Sequence, residues 1–169
     1  MSVRHLDRLL EPKSVVVVGA SNRIGSVGAT VWRNLRAGRF AGPIHAVNPK
    51  HTELDGVAVF ARAADLPQPP DLAVLCTPPD TVAGLIDALG RLGTRAAIVM
   101  TAGPSAAQKQ ATLTAARPHP LRVLELAELD INPLWADHDG VLALDARLRV
   151  VPNDARLRVV PNDERCART

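Results

Sequence analysis

The chain has 169 residues, 47% of them hydrophobic and 22% charged, with a formal net charge of +3 and a pI near 9.4. That length supports one hydrophobic core plus an appendage, and no apolar run approaches the roughly 20 residues that span a bilayer, so no membrane is expected and the cytoplasm is the expected compartment. Basic residues are spread along the chain and aromatics make up 2%, which removes the stacking platform of a nucleic-acid binder. Cys76 and Cys166 alone give neither a disulfide framework nor a metal-cluster spacing.

The first element is the run SVVVVG at residues 14–19. It reads as a strand buried on both faces, the kind found in parallel sheets. Further strands are expected at residues 44–47, 57–60, 72–76 and 96–100, with helices at 27–37, 81–92 and 105–116. The second helix has Val82, Leu85, Ile86 and Leu89 at the spacing of one helical face. Strand alternating with helix through residue 117 predicts right-handed βαβ units, hence an α/β fold with a Rossmann-like doubly wound parallel sheet. Beyond that point, residues 121–134 and 141–150 form two strand-like runs around the polar Asp-Gly turn at 136–140, which predicts a C-terminal antiparallel hairpin. The sequence DARLRVVPN at 145–153 is repeated at 154–162. This is too short for a stacking repeat, so it reads as a local duplication followed by a disordered tail.

Directly after the first strand comes GASNRIGSVG at residues 19–28 and then a helix. Strand, glycine-rich turn and helix N-terminus bring backbone N–H groups and the positive end of the helix dipole to one place, which suits a phosphate. Gly19 and Gly25 permit the turn, and Ser21, Asn22 and Ser26 are candidate side-chain donors. The spacing differs both from the dinucleotide fingerprint and from the P-loop. The second strand runs into VNPK at residues 47–50, with a cation where NAD-binding domains carry an Asp or Glu. Lysines are otherwise found only at 13 and 109. Lys50 therefore points to a ligand with a phosphorylated ribose, either coenzyme A (CoA) with its 3′-phosphate or NADP with its 2′-phosphate. The turns Thr77-Pro78-Pro79 and Thr101-Ala102-Gly103 follow the fourth and fifth strands, at the edge where open α/β sheets bind ligands.

Taken together, GAS-x-x-x-G-x-VG at 19–28, VNPK at 47–50, DLAVLCTPP at 71–79 and AAIVMTAG at 96–103 resemble the N-terminal CoA-binding domain of ADP-forming acetyl-CoA and acyl-CoA synthetases. They are similar also to the succinyl-CoA synthetase α-subunit and to the module fused to bacterial protein acetyltransferases. The resemblance runs from about residue 6 to 124. It implies that Ser21, Asn22, Arg23, Ile24 and Gly25 hold CoA phosphates and that Lys50 holds the phosphorylated ribose. It also implies that Thr77, Pro78 and Pro79 with Thr101, Ala102 and Gly103 receive the adenosine and pantetheine arm.

In that family a domain bearing a phosphorylated histidine follows. Here residues 127–134 and 141–147 instead resemble the end of the same enzymes' ATP-grasp domain, where Asn132 and Asp145 would correspond to Mg²⁺ ligands beside ATP. Two or three oxygens do not make an ATP pocket, so residues 125–150 are expected to be a structural remnant, with Mg²⁺ and ATP relevant only if a partner supplies the missing domains. The histidines at 5, 45, 51, 119 and 138 are scattered, and no catalytic residue is assigned. The expected organisation is a CoA-binding domain over 1–124, the remnant hairpin over 125–150 and a flexible segment over 151–169. The expected function is a module that binds CoA or acyl-CoA without catalysis of its own. The alternatives are one part of an ATP-dependent acyl-CoA ligase working with a complementary subunit, and an NADP-binding sensor or reductase.

Overall fold

The computed structural model describes residues 6–38, 40–131, 134–137, 140–143 and 146–151, with side chains over 7–38 and 40–125. Helix α1 (Leu6–Leu10) leads into β1 (Val15–Val18), α2 (Val27–Ala37) and β2 (Ile44–Val47). A short hairpin, β3 (Glu53–Leu54) and β4 (Val57–Phe60), precedes β5 (Leu72–Leu75), α3 (Pro79–Leu92), β6 (Ala96–Val99), α4 (Ala106–Ala116) and β7 (Arg122–Ile131). The last strands are β8 (Leu134–Asp137), β9 (Gly140–Ala143) and β10 (Ala146–Val151).

The main sheet has the order β10-β7-β6-β5-β1-β2-β4-β3. Its six inner strands pair in parallel, and antiparallel strands close both edges. The doubly wound sheet expected from the alternating strand and helix runs is therefore the observed architecture. The chain leaves β1 toward β2 and later returns on the other side of β1 to β5, so the topological switch point lies between β1 and β5.

β1 is buried along its whole length, as a central strand covered on both faces must be. One face carries Val16, Val18, Leu75 and Val99 against Val82, Ile86 and Leu89 of α3. On the other, Val17 and Ala46 pack with Trp32 of α2, and Val15, Leu72 and Val74 with Leu9, Val31 and Leu35. Two polar clamps fix the outer pieces. Arg8 of α1 donates to the Asp71 carboxylate at 2.8 Å, just before β5. The Trp32 indole N–H donates to Asp55 at 2.9 Å, tying the β3–β4 turn to α2. That turn has Asp55 at φ 48° and Gly56 at φ 77°, the paired left-handed geometry of a two-residue hairpin turn.

Both α3 and α4 begin where their caps dictate. Pro79 starts α3 two residues ahead of the expected Thr81 because proline's fixed φ suits the first helical position. Ser105 lies just outside α4 as its N-cap, in a reciprocal capping box with Gln108.

The expected C-terminal hairpin is present and joins the main sheet. β10 pairs antiparallel with β7, setting Ile131 opposite Ala146 with a shift of register between Arg149 and Val150, and β8 pairs antiparallel with β9, setting Leu134 opposite Ala143. β7 runs unbroken across the boundary expected at residue 124. Asn132, Asp145, Cys166 and the second copy of the repeated segment lie outside the described residues. Among the described residues no helix is long and apolar enough to cross a membrane.

Candidate functional site

A cleft of about 1180 Å³ opens at the carboxyl edge of the sheet, where Val18 of β1, Val47 of β2, Cys76 after β5 and Met100 after β6 meet. It spans the switch point, where the loops after β1 and β5 diverge and leave space for a ligand.

Its floor is the glycine turn. Gly19 has φ +88°, and a Cβ there would sit 2.5 Å from the Cys76 carbonyl oxygen. Gly28, in the first turn of α2, passes so close to the Gly19 carbonyl oxygen that a Cβ would lie 2.0 Å from it. These two glycines let strand, turn and helix interlock, and Gly19 N–H donates to Val47 O at 2.8 Å to tie the turn to β2. Ser26 is the N-cap of α2: its hydroxyl accepts from Ala29 N–H and donates to Arg23 O at 2.8 Å. That corrects the expectation of Ser26 as a free donor, because its proton is donated to the Arg23 carbonyl while the cap uses a lone pair of its oxygen. Ser21 accepts from Arg23 N–H at 3.0 Å, which leaves its hydroxyl hydrogen available to the cleft.

Asn48 joins the first two loops. Its side-chain amide donates to Ala20 O at 2.8 Å and its carbonyl oxygen accepts from Lys50 N–H at 2.9 Å. On the far wall the Thr101 hydroxyl donates to Thr77 O at 3.1 Å. The Thr77 hydroxyl oxygen is itself sealed from solvent with no hydrogen-bond partner, an unsatisfied polar atom beside the cleft. Cys76 also faces the cleft, but burial pushes its thiol up to about 12. It stays protonated at neutral pH and supplies no thiolate nucleophile.

Of the residues expected from the sequence, Gly19, Ser21, Asn22, Arg23, Lys50, Thr77, Pro78, Pro79, Thr101 and Ala102 line this one cleft. Ile24, Gly25 and Gly103 belong to the same turns but not to its lining, and the Ile24 side chain is 95% exposed. The sequence reading missed Asn48, His51, Arg62, Leu85, Ala88 and Met100. Arg62 stands two residues past a strand whose position was recognised, so the rule that ligands gather at strand carboxyl ends would have found it. The lining includes Arg23, Lys50, His51 and Arg62 and no carboxylate. Such a cleft attracts an anion, and it lacks the acidic group that NAD-binding domains place after their second strand.

A CoA binding domain profile matches residues 13–129. The chain belongs to the CoA-binding-domain family. It is 43% identical over 109 residues to trans-feruloyl-CoA synthase FCS1 of an unknown prokaryotic organism, covering 64% of this chain and 15% of that enzyme. It is 38% identical over 98 residues to an ADP-forming acetate–CoA ligase of Archaeoglobus fulgidus, covering 58% of this chain and 14% of the ligase. The chain thus spans about a seventh of the length of these relatives. Among solved structures, the dinucleotide-forming acetyl-coenzyme A synthetase 1 of Candidatus Korarchaeum cryptofilum, in complex with phosphate and ADP, superposes with a TM-score of 0.66 at 33% identity, covering 70% of this chain and 26% of that one. The CoA-binding domain described here is therefore related to ADP-forming acyl-CoA synthetases.

Proposed function

We infer that the switch-point cleft is where this CoA-binding domain holds CoA or an acyl-CoA. The observation that carries the reading is the lining of one cleft by the glycine turn, Lys50 and the two threonine loops, with cations and no carboxylate among its residues. The pyrophosphate rests on the turn at Ser21, Asn22 and Arg23, where the first turn of α2 adds its partial positive charge. Lys50, at the end of β2, takes the phosphorylated ribose. The pantetheine arm runs on the other side of the pyrophosphate, along Thr77, Pro78 and Pro79 and past Thr101 and Ala102, with Leu85, Ala88 and Met100 as its apolar wall. Binding and positioning of the thioester carrier are the chain's own part. The protonated Cys76 leaves the ligand's thiol as the only thiol there with ordinary acidity.

Isothermal titration of the chain with CoA, desulfo-CoA, NADP and ATP–Mg²⁺ tests this. CoA and desulfo-CoA should bind with similar affinity and NADP much more weakly; tight NADP binding without CoA binding sinks the reading. Lys50→Ala should weaken CoA by about 1 to 3 kcal/mol, the range for losing a charged hydrogen bond. In ligation itself, the histidine-phosphorylating and ATP-binding steps of the related synthetases would fall to other sequence, in the same polypeptide or in a partner chain.

A further inference from the structure

The carboxyl ends of β2 and β4 are fastened side by side. Their parallel register sets Val47 opposite Phe60, and Asn48 N–H donates to Phe60 O at 2.9 Å. Lys50 lies three residues beyond Val47 and Arg62 two residues beyond Phe60. Two cations therefore leave adjacent strands at one level, and both line the cleft. Neighbouring strands stand about 4.8 Å apart, a gap that a Lys and an Arg side chain bridge easily onto one phosphate.

Arg62 does not dangle. Its guanidinium grips the Asp65 carboxylate in a fork, Nε to Oδ2 at 3.2 Å and Nη2 to Oδ1 at 2.9 Å, while its own backbone N–H donates to the same carboxylate at 3.2 Å. With the Arg62 side chain 78% exposed, a pair of this kind contributes little to stability. What the fork does is hold the guanidinium in one orientation, with Nη1 taking no part in the Asp65 contact and free to donate. A planar, preorganised donor of this type suits a phosphate better than a flexible ammonium does.

The direction of the ligand follows from strand order. With a pyrophosphate on the turn after β1, the ribose reaches the end of β2, and a phosphate carried on that ribose projects onward toward the next strand, β4. We propose that Arg62, held by Asp65, is a specificity-determining residue that reads the ribose phosphate together with Lys50, so that the cleft selects CoA over its 3′-dephospho form. This rests on the CoA reading of the cleft.

Titrations of the wild type and of Arg62→Ala with CoA and with 3′-dephospho-CoA decide it. The wild type should prefer CoA. The substitution should weaken CoA by about tenfold, as for one exposed charge-assisted hydrogen bond, and leave dephospho-CoA unchanged, with unaltered circular dichroism and melting midpoint. Equal losses for both ligands, or no loss for either, overturn the role of Arg62. A wild type that binds both ligands equally well also overturns it, yet leaves the CoA reading standing. A wild type that binds neither removes the CoA reading itself.

Discussion

At the scale of single residues, the cleft separates side chains that hold the fold from side chains left for a ligand. Asn48 and Ser26 both line the cleft, yet each is hydrogen-bonded to the loops it braces. Lys50 has no carboxylate partner among the described residues. Cys76 shows the same division in its titration. Burial raises its thiol to about 12 from an ordinary value of 9.0, so the folded chain resists the thiolate that the unfolded chain forms more readily. With the folded value the higher of the two, this residue's contribution to stability is intact below about pH 9 and falls away as pH rises toward 12. Peptide mapping after iodoacetamide treatment at pH 8 should accordingly find Cys76 alkylated slowly in the native protein and rapidly after denaturation. Fast native labelling at Cys76 would contradict the burial that sets its acidity.

At the scale of elements, α3 and the segment leading into β7 meet through a missing side chain. A Cβ on Gly90 would lie 2.3 Å from Cγ of His119, whose imidazole is held at 2.9 Å by Asp87 one turn earlier on the same helix. That hydrogen bond, together with the Arg91 guanidinium, keeps the Asp87 carboxyl below its usual range. Gly90→Ala gains about 1 kcal/mol of helix propensity but overpacks a pinned ring, a cost of about 1 to 3 kcal/mol. Urea unfolding should show a net loss, and adding His119→Ala should make the alanine at position 90 neutral or favourable. If Gly90→Ala stabilises the wild-type background, the ring is not held where the structure puts it.

The parallel strands were legible in the sequence because strands buried on both faces are unbroken apolar runs, as in SVVVVG and LAVL. β3 was not recognised, though Asp55-Gly56 between Glu53-Leu54 and Val57 carries the turn chemistry for it. Two residues offer no periodicity, and the Trp32 contact that secures them is tertiary. α1 escaped for the same reason: five residues are too few to nucleate a helix, and Arg8 on Asp71 anchors it. The roles of Asn48 and Arg62 depend on which strands become neighbours, and the β2–β4 pairing is not written in either segment alone.

At the scale of the molecule, the sheet, its two helical layers and the antiparallel strands at each edge form a scaffold whose loops converge on one cleft. A ligand that binds only the folded chain stabilises it by mass action, about 2.7 kcal/mol at a hundredfold excess over Kd. For a chain of this size that corresponds to a rise in Tm of roughly 5 to 10 °C. Differential scanning fluorimetry should show this with CoA and a much smaller rise with NADP; the reverse order would point to the other phosphorylated ribose.

The interlocked glycines bear on how such a ligand arrives and leaves. Gly28 pressed against the Gly19 carbonyl oxygen fixes the two ends of the glycine turn against each other. Those ends are held together by packing of the chain itself, so a ligand need not supply the energy that brings them together. On the CoA reading, variants at the rim should encounter ligand at similar rates and differ mainly in how long they keep it, which stopped-flow measurement of association and dissociation checks.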